Sequence, residues 1–140
     1  MINPLELKTL IRKLEAWSDE SGSFHTDRQL ADEVLIADGW RVVPDPSFEG
    51  GFCWKFGVNP VVSSSESYRP HPVNDLNAAI AVIPHNAHWR LEVKNGVTWA
   101  YVWPCRGLMP EMSRGQSCRP AVAILVAALN FKQTSMVGKQ

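Results

Sequence analysis

Residues 88–103, HWRLEVKNGVTWAYVW, hold two alternating runs on either side of Asn95-Gly96. That dipeptide is the strongest short-range signal for a two-residue hairpin turn, because both turn positions need positive φ. A two-residue turn pairs Lys94 with Val97 and carries the register back to His88 opposite Trp103. Paired residues share a face of the sheet. One face then carries Trp89, Leu91, Val93, Thr98, Ala100 and Val102, which is expected to be an ordinary core. The other sets His88, Arg90, Glu92 and Lys94 against Trp103, Tyr101, Trp99 and Val97. Rings mixed with charge in this way suit either a covering helix or a bound ligand.

Around the hairpin the chain reads as alternating helices and strands. Asn3-Pro4-Leu5-Glu6 supplies an N-cap, a proline at the first helical position and a capping-box acid, with Leu7, Leu10, Ile11, Leu14 and Trp17 at helical spacing. Thr26-Asp27-Arg28-Gln29 is a second capping box, and Gly39 is the expected stop of that helix. Trp40 to Val43 and Phe52 to Phe56 read as short strands. Residues 57–73 and 104–118 read as irregular segments. Asn74 is expected to cap a short helix ahead of Pro84, and Pro120 opens a final helix whose run from Ala121 to Leu129 is apolar almost throughout. Two helices, two strands, a helix, two strands and a helix predict an α+β fold: a four-stranded, largely antiparallel sheet with helices packed on its faces.

At 140 residues the chain has the size of one domain, and its 45% hydrophobic and 20% charged content is that of a globular protein. The apolar stretches fall short of a membrane span, so no membrane association is expected. The amphipathic N-terminus predicts a cytoplasmic protein, and three widely spaced cysteines, Cys53, Cys105 and Cys118, read as reduced thiols. Charge is uneven: residues 1–100 hold 9 Lys/Arg against 13 Asp/Glu, whereas residues 101–140 hold 5 against the single acid Glu111. That footprint is too weak for a duplex nucleic-acid binder. It leaves room for a local anion site near the last helix.

Asp38-Gly39-Trp40, Asp75-Leu76-Asn77-Ala78-Ala79, the Trp89 hairpin and Arg119-Pro120-Ala121-Val122-Ala123 together resemble the phage ABA sandwich domain family. The resemblance spans roughly residues 27–131, with 1–24 as an N-terminal helical extension and 132–140 as a frayed tail of one domain, 1–140. It implies a three-layer αβα sandwich encoded by a bacteriophage and acting in the host cytoplasm, and it brings no catalytic residues. Arg119 stands where that pattern has a threonine-like helix cap.

His85 and His88 have no third ligand in their neighbourhood, so no metal is expected. Neither a nucleophile elbow, a Cys/His signature nor a carboxylate pair is present, which argues against an enzyme and calls for no cofactor. Binding chemistry is better supported. Arg106, Arg114 and Arg119 lie in a glycine-containing segment that feeds a helix N-terminus, where amides and guanidinium groups favour an anion. Ser67-Tyr68-Arg69-Pro70-His71 likewise leads to the helix near Asp75. The two loops are expected at opposite ends of the hairpin, meeting only across a homo-oligomer interface. Trp99, Tyr101 and Trp103 suit base stacking, a subunit interface, or burial beneath the N-terminal helices through Leu10, Leu14 and Trp17.

The candidate ligand-binding residues are Trp54, Tyr68, Arg69, His71, Trp103, Arg106, Arg114 and Arg119. The phage setting that the resemblance implies suits a counter-defence protein, and the aromatic–arginine loops, not the resemblance, raise the expectation that it sequesters a nucleotide immune signal. The alternatives are an inhibitor that binds a host effector protein and a small hydrolase.

Overall fold

The computed structural model describes residues 3–17, 24–57, 62–65, 68–105 and 112–137. Helix α1 (Pro4–Glu15) starts as its sequence predicts. The Asn3 side chain accepts from the Glu6 amide at 2.8 Å, and the Glu6 carboxylate accepts from the Asn3 amide at 3.4 Å. Helix α2 (Phe24–Asp38) begins two residues ahead of the expected Thr26 cap and ends at Gly39. Gly39 takes a φ of 111° and donates its amide to the Ile36 carbonyl at 3.1 Å. Only glycine enters that conformation cheaply.

Three strands follow, β1 (Trp40–Pro44), β2 (Phe52–Phe56) and β3 (Val62–Ser65), paired antiparallel in that order. Helix α3 (Leu76–Ile80) is capped by Asp75, whose carboxylate accepts from the Asn77 amide at 3.0 Å, and not by Asn74. Strands β4 (Ala87–Lys94), β5 (Val97–Pro104) and β6 (Ser113–Ser117) build a second antiparallel sheet, and α4 (Pro120–Val137) completes the described chain.

The hairpin register is the expected one, from Lys94 opposite Val97 back to His88 opposite Trp103, with Asn95 at φ 54° and Gly96 at φ 76°. The expected four-stranded sheet is instead divided into two three-stranded sheets. Each local pair recruits its third strand from a segment read as irregular, β3 from 57–73 and β6 from 104–118. The helix read as frayed after residue 131 continues to Val137, where Lys132 pairs with Asp38 at 2.6 Å.

Helix α4 dictates the packing. Every residue from Ala121 to Leu129 is buried, on all sides of the helix. Such a helix needs cover all round. Strands β5 and β6 supply it on one side, and α1 and α3 on the other. Helix α4 thus packs against both the β5–β6 part of the sheet and the helices α1 and α3. Leu7, Leu10, Ile11, Leu14 and Trp17 join one core with α4, so α1 is part of the same hydrophobic cluster as residues 121–131.

Gly115 sets how closely α4 and β6 approach. A Cβ there would run into the Ala123 carbonyl and the Ala127 amide. The inward side of β5 is fully buried at Thr98, Ala100 and Val102. On β4 the expected core face holds at Leu91, which packs against the core, and fails at Trp89 and Val93, which are 41% and 69% exposed. Strand β4 is an edge, and α4 lies over β5 and β6 rather than over it.

Candidate functional site

The outward face of the β4–β5–β6 sheet remains open. His88, Arg90, Glu92, Lys94, Trp99, Arg114 and Gln116 are all exposed there, with Tyr101 and Trp103 half-buried among them. Among the described residues no helix covers this face: Leu10, Leu14 and Trp17 belong to the core around α4. Residues two apart on a strand share a face and lie roughly 7 Å apart. Trp99, Tyr101 and Trp103 thus form a column of three rings along the central strand.

Both flanking strands add polar groups in register. Tyr101 sits between Arg90 of β4 and Arg114 of β6, and the Arg90 guanidinium lies 4.9 Å from the Tyr101 ring centre. Trp99 sits between Glu92 and Gln116. His88 faces Trp103 with ring centres 5.9 Å apart. Glu92, the acid of this face, pairs with Arg90 at 3.3 Å, both side chains about half exposed. Arg114 makes no ion pair among the described residues; its carbonyl accepts from the Asn130 side chain at 3.2 Å. Beside it runs a cleft of about 460 Å³, lined by Glu15, Trp99, Arg114, Gln116 and Cys118. A cleft of similar size between α1 and α2 is mainly apolar, and its charged pair, Lys13 and Glu33, is already joined at 2.9 Å.

The arginines singled out nearest the helix N-termini behave differently. Arg69 binds Asp32 through Nε at 2.8 Å and Nη2 at 3.1 Å, and its guanidinium lies 5.4 Å from the Trp54 ring centre. Arg28 joins the same carboxylate at 2.7 Å and donates to the Pro70 carbonyl at 2.7 Å. Burial pushes the Asp32 carboxyl up, but hydrogen bonds from Arg69 and Arg28 outweigh it and hold the group below its ordinary value. Arg119 pairs with buried Asp27 at 3.3 Å, donates to the Asn74 side chain and lies 4.2 Å from the Trp17 ring centre. The Trp17 indole donates to the other Asp27 oxygen at 2.8 Å. Arg69 spends its guanidinium fork on an α2 carboxylate, the geometry a phosphate would otherwise use, and Arg119 commits Nη1 to another carboxylate of α2.

The contact between Arg119 and Asn74 also corrects the expectation that these two loops meet only across an oligomer. Strand β6 runs back along β5 from Val102 to Thr98, so the chain enters α4 at the Asn95-Gly96 end of the hairpin. A sequence reading that lacks β6 puts the start of α4 at the far end.

Of the remaining candidates, Trp54 is buried in β2 beneath Arg69, and Tyr68 projects outward at 85% exposure. His71 is half-buried with its Nε2 at 3.4 Å from the Asn74 amide nitrogen, and burial together with Arg28 lowers its pKa. Trp103 and Arg114 share the open face. Arg106 lies outside the described residues. The structure thus joins Trp103 and Arg114 and adds Arg90, Trp99, Tyr101 and Gln116, which the candidate set lacked. The hairpin register already put Arg90, Trp99 and Tyr101 on one face; Gln116 needed β6.

Among the described residues, no group of three His, Cys, Asp or Glu side chains is placed to hold a metal ion. No helix among them is long and apolar enough to cross a membrane. Comparison with protein-family models, with characterised proteins and with solved structures finds no match to this chain.

Proposed function

We propose that this is a binding protein without catalytic activity, and that it holds a nucleotide-type ligand on the open face of the β4–β5–β6 sheet. The observation that carries the reading is the row Arg90–Tyr101–Arg114, an aromatic ring flanked by two guanidinium groups within a column of three rings. Rings offer a face to a base, and guanidinium forks match phosphate oxygens. The phage ABA sandwich resemblance gives the binding a setting: capture of a nucleotide immune signal in the host cytoplasm, with the ligand released unchanged. The homo-oligomer of that expectation loses its main reason, since Asn74 and Arg119 already meet within one chain.

A thermal-shift screen with cyclic oligonucleotides and ADP-ribose-type compounds tests this. A rise of several degrees, with intact ligand recovered by chromatography after heating and the shift reduced in Arg114→Ala, is the expected outcome. A chemically altered ligand would point to a hydrolase instead. No shift with any nucleotide removes the reading.

A second reading, inhibition of a host effector protein, draws on a different surface. Val42, Phe52 and Phe56 are 47%, 48% and 36% exposed on one face of the β1–β2–β3 sheet, beside the stacked Trp40 ring. Apolar groups gathered in this way mark protein contacts more often than nucleotide sites. Co-purification of a host protein that is lost in Phe52→Ser would favour it.

A further inference from the structure

The shape of the ring face narrows the ligand class. A mononucleotide or other small molecule is held by a concave site that buries most of its surface. The β4–β5–β6 face is a sheet surface with exposed residues on all three strands and rings set in line, and the cleft beside it is lined by Trp99 but by neither Tyr101 nor Trp103. A single base on one ring would leave its other face in water. A chain of bases gains one stacking contact per ring, and the contacts add along the strand.

Spacing separates a single strand from a duplex. The rings repeat every two residues, roughly 7 Å. That is about twice the 3.4 Å rise between bases stacked in a duplex. Each ring therefore receives a base splayed from its neighbours, which a paired and stacked helix does not offer. The charges fit the same path. Arg90 lies over the middle ring, Arg114 pairs with that ring's residue from the other strand, and Lys94 stands at the turn end of β4. Of the acids described near this face, Glu92 is engaged by Arg90, and Glu15 lines the cleft beside Trp99 and Arg114. Gln116, directly opposite Trp99, offers both a donor and an acceptor to a base edge.

We infer that this face binds single-stranded nucleic acid, laid along β5 with successive bases on Trp99, Tyr101 and Trp103 and its backbone phosphates on Arg90 and Arg114. The inference rests on the ring face being the binding site, as proposed above.

The test is a tryptophan-quenching titration of the full chain with deoxythymidine mono-, tri- and hexanucleotides, a cyclic dinucleotide and an annealed duplex. The trinucleotide should bind at least tenfold more tightly than the mononucleotide and close to the hexanucleotide. Tyr101→Ala should weaken the hexanucleotide roughly tenfold. Two neutralised phosphates should cost about sevenfold in affinity between roughly 50 and 200 mM salt. Arg114→Glu, on an exposed side chain, should weaken binding while leaving the thermal midpoint of the free protein unchanged. A mononucleotide or cyclic dinucleotide that binds as tightly as the hexanucleotide overturns the single strand but keeps the ring-face site. A duplex that binds more tightly than the strand also overturns it. Absence of binding by every nucleotide overturns both readings.

Discussion

Arg69 and Arg119, bound to carboxylates of α2, and Arg90 and Arg114, on the open sheet face, use the same side chain for opposite ends. The first two reach from loops to α2, each taking an aspartate and a tryptophan face: Arg69 with Asp32 and Trp54, Arg119 with Asp27 and Trp17. They tie the helix to the sheet and loop beside it. The second two stand on the open sheet face, Arg90 with only a half-exposed partner and Arg114 with no ion pair among the described residues. A guanidinium already matched to a buried or half-buried carboxylate is part of the fold, whereas one left on an open face is available to a ligand. Proximity to a helix N-terminus, the feature that first marks Arg69 and Arg119, does not separate the two kinds.

The largest expected break comes at the seam that holds Arg114 in place. Gly115→Ala should destabilise the protein by upward of ~3 kcal/mol, because the new methyl meets α4 backbone that has no room to rotate away. Chemical denaturation should show the loss, and ligand binding should fall with it. Next is Arg119→Ala, which removes the ion-pair partner of buried Asp27 and leaves it, among the described residues, the Trp17 indole as donor. A cost of about 3 kcal/mol, or roughly 10 °C in thermal midpoint, is expected. Arg69 and Asp32 should give a smaller and pH-dependent effect. The Asp32 carboxyl titrates below its unfolded value in the folded protein, so its contribution is present above about pH 4 and is lost as pH falls through the lower folded value. Asp32→Asn should remove about 2 kcal/mol at neutral pH and flatten the acid limb of a stability–pH curve. Asp38, raised by burial against the pull of Lys132, acts with the opposite sign and should persist in that variant. Smallest is Arg114→Ala, expected within ~0.5 kcal/mol of the parent in stability. If Arg114→Ala instead unfolds the protein as Arg119→Ala does, the division into two kinds of arginine fails.

The hairpin was readable in full because two constraints coincide there: a turn dipeptide with positive φ at both positions, and strict alternation on either side. Burial of α4 was readable for a simpler reason, since a run from Ala121 to Leu129 without a charge has no polar face to offer. Strand β6 was not. Its sequence, Ser113-Arg114-Gly115-Gln116-Ser117, puts glycine at the inward position, where β propensity would ask for a branched residue. That glycine answers to the approach of α4, a requirement visible only once the helix is in place. Missing β6 reversed the end at which α4 begins and hid the Arg114–Tyr101 row, so part of the candidate site was lost with it. The Arg119 departure from a small polar cap has a comparable origin: its partners Asp27 and Asn74 are 92 and 45 positions away.

The central place of α4 has a consequence for how the chain reaches its fold. During synthesis α1, α2, α3 and all six strands emerge before residues 120–137, yet the surfaces that α1, α3, β5 and β6 bury are buried against that helix. The nascent chain therefore carries a ready-made vacancy lined with Leu7, Leu10, Leu14, Ala100 and Val102 until its last described element arrives. Folding is then expected to finish in one late, cooperative step, and a ribosome paused before residue 120 would hold a sticky, unsealed intermediate that invites chaperones.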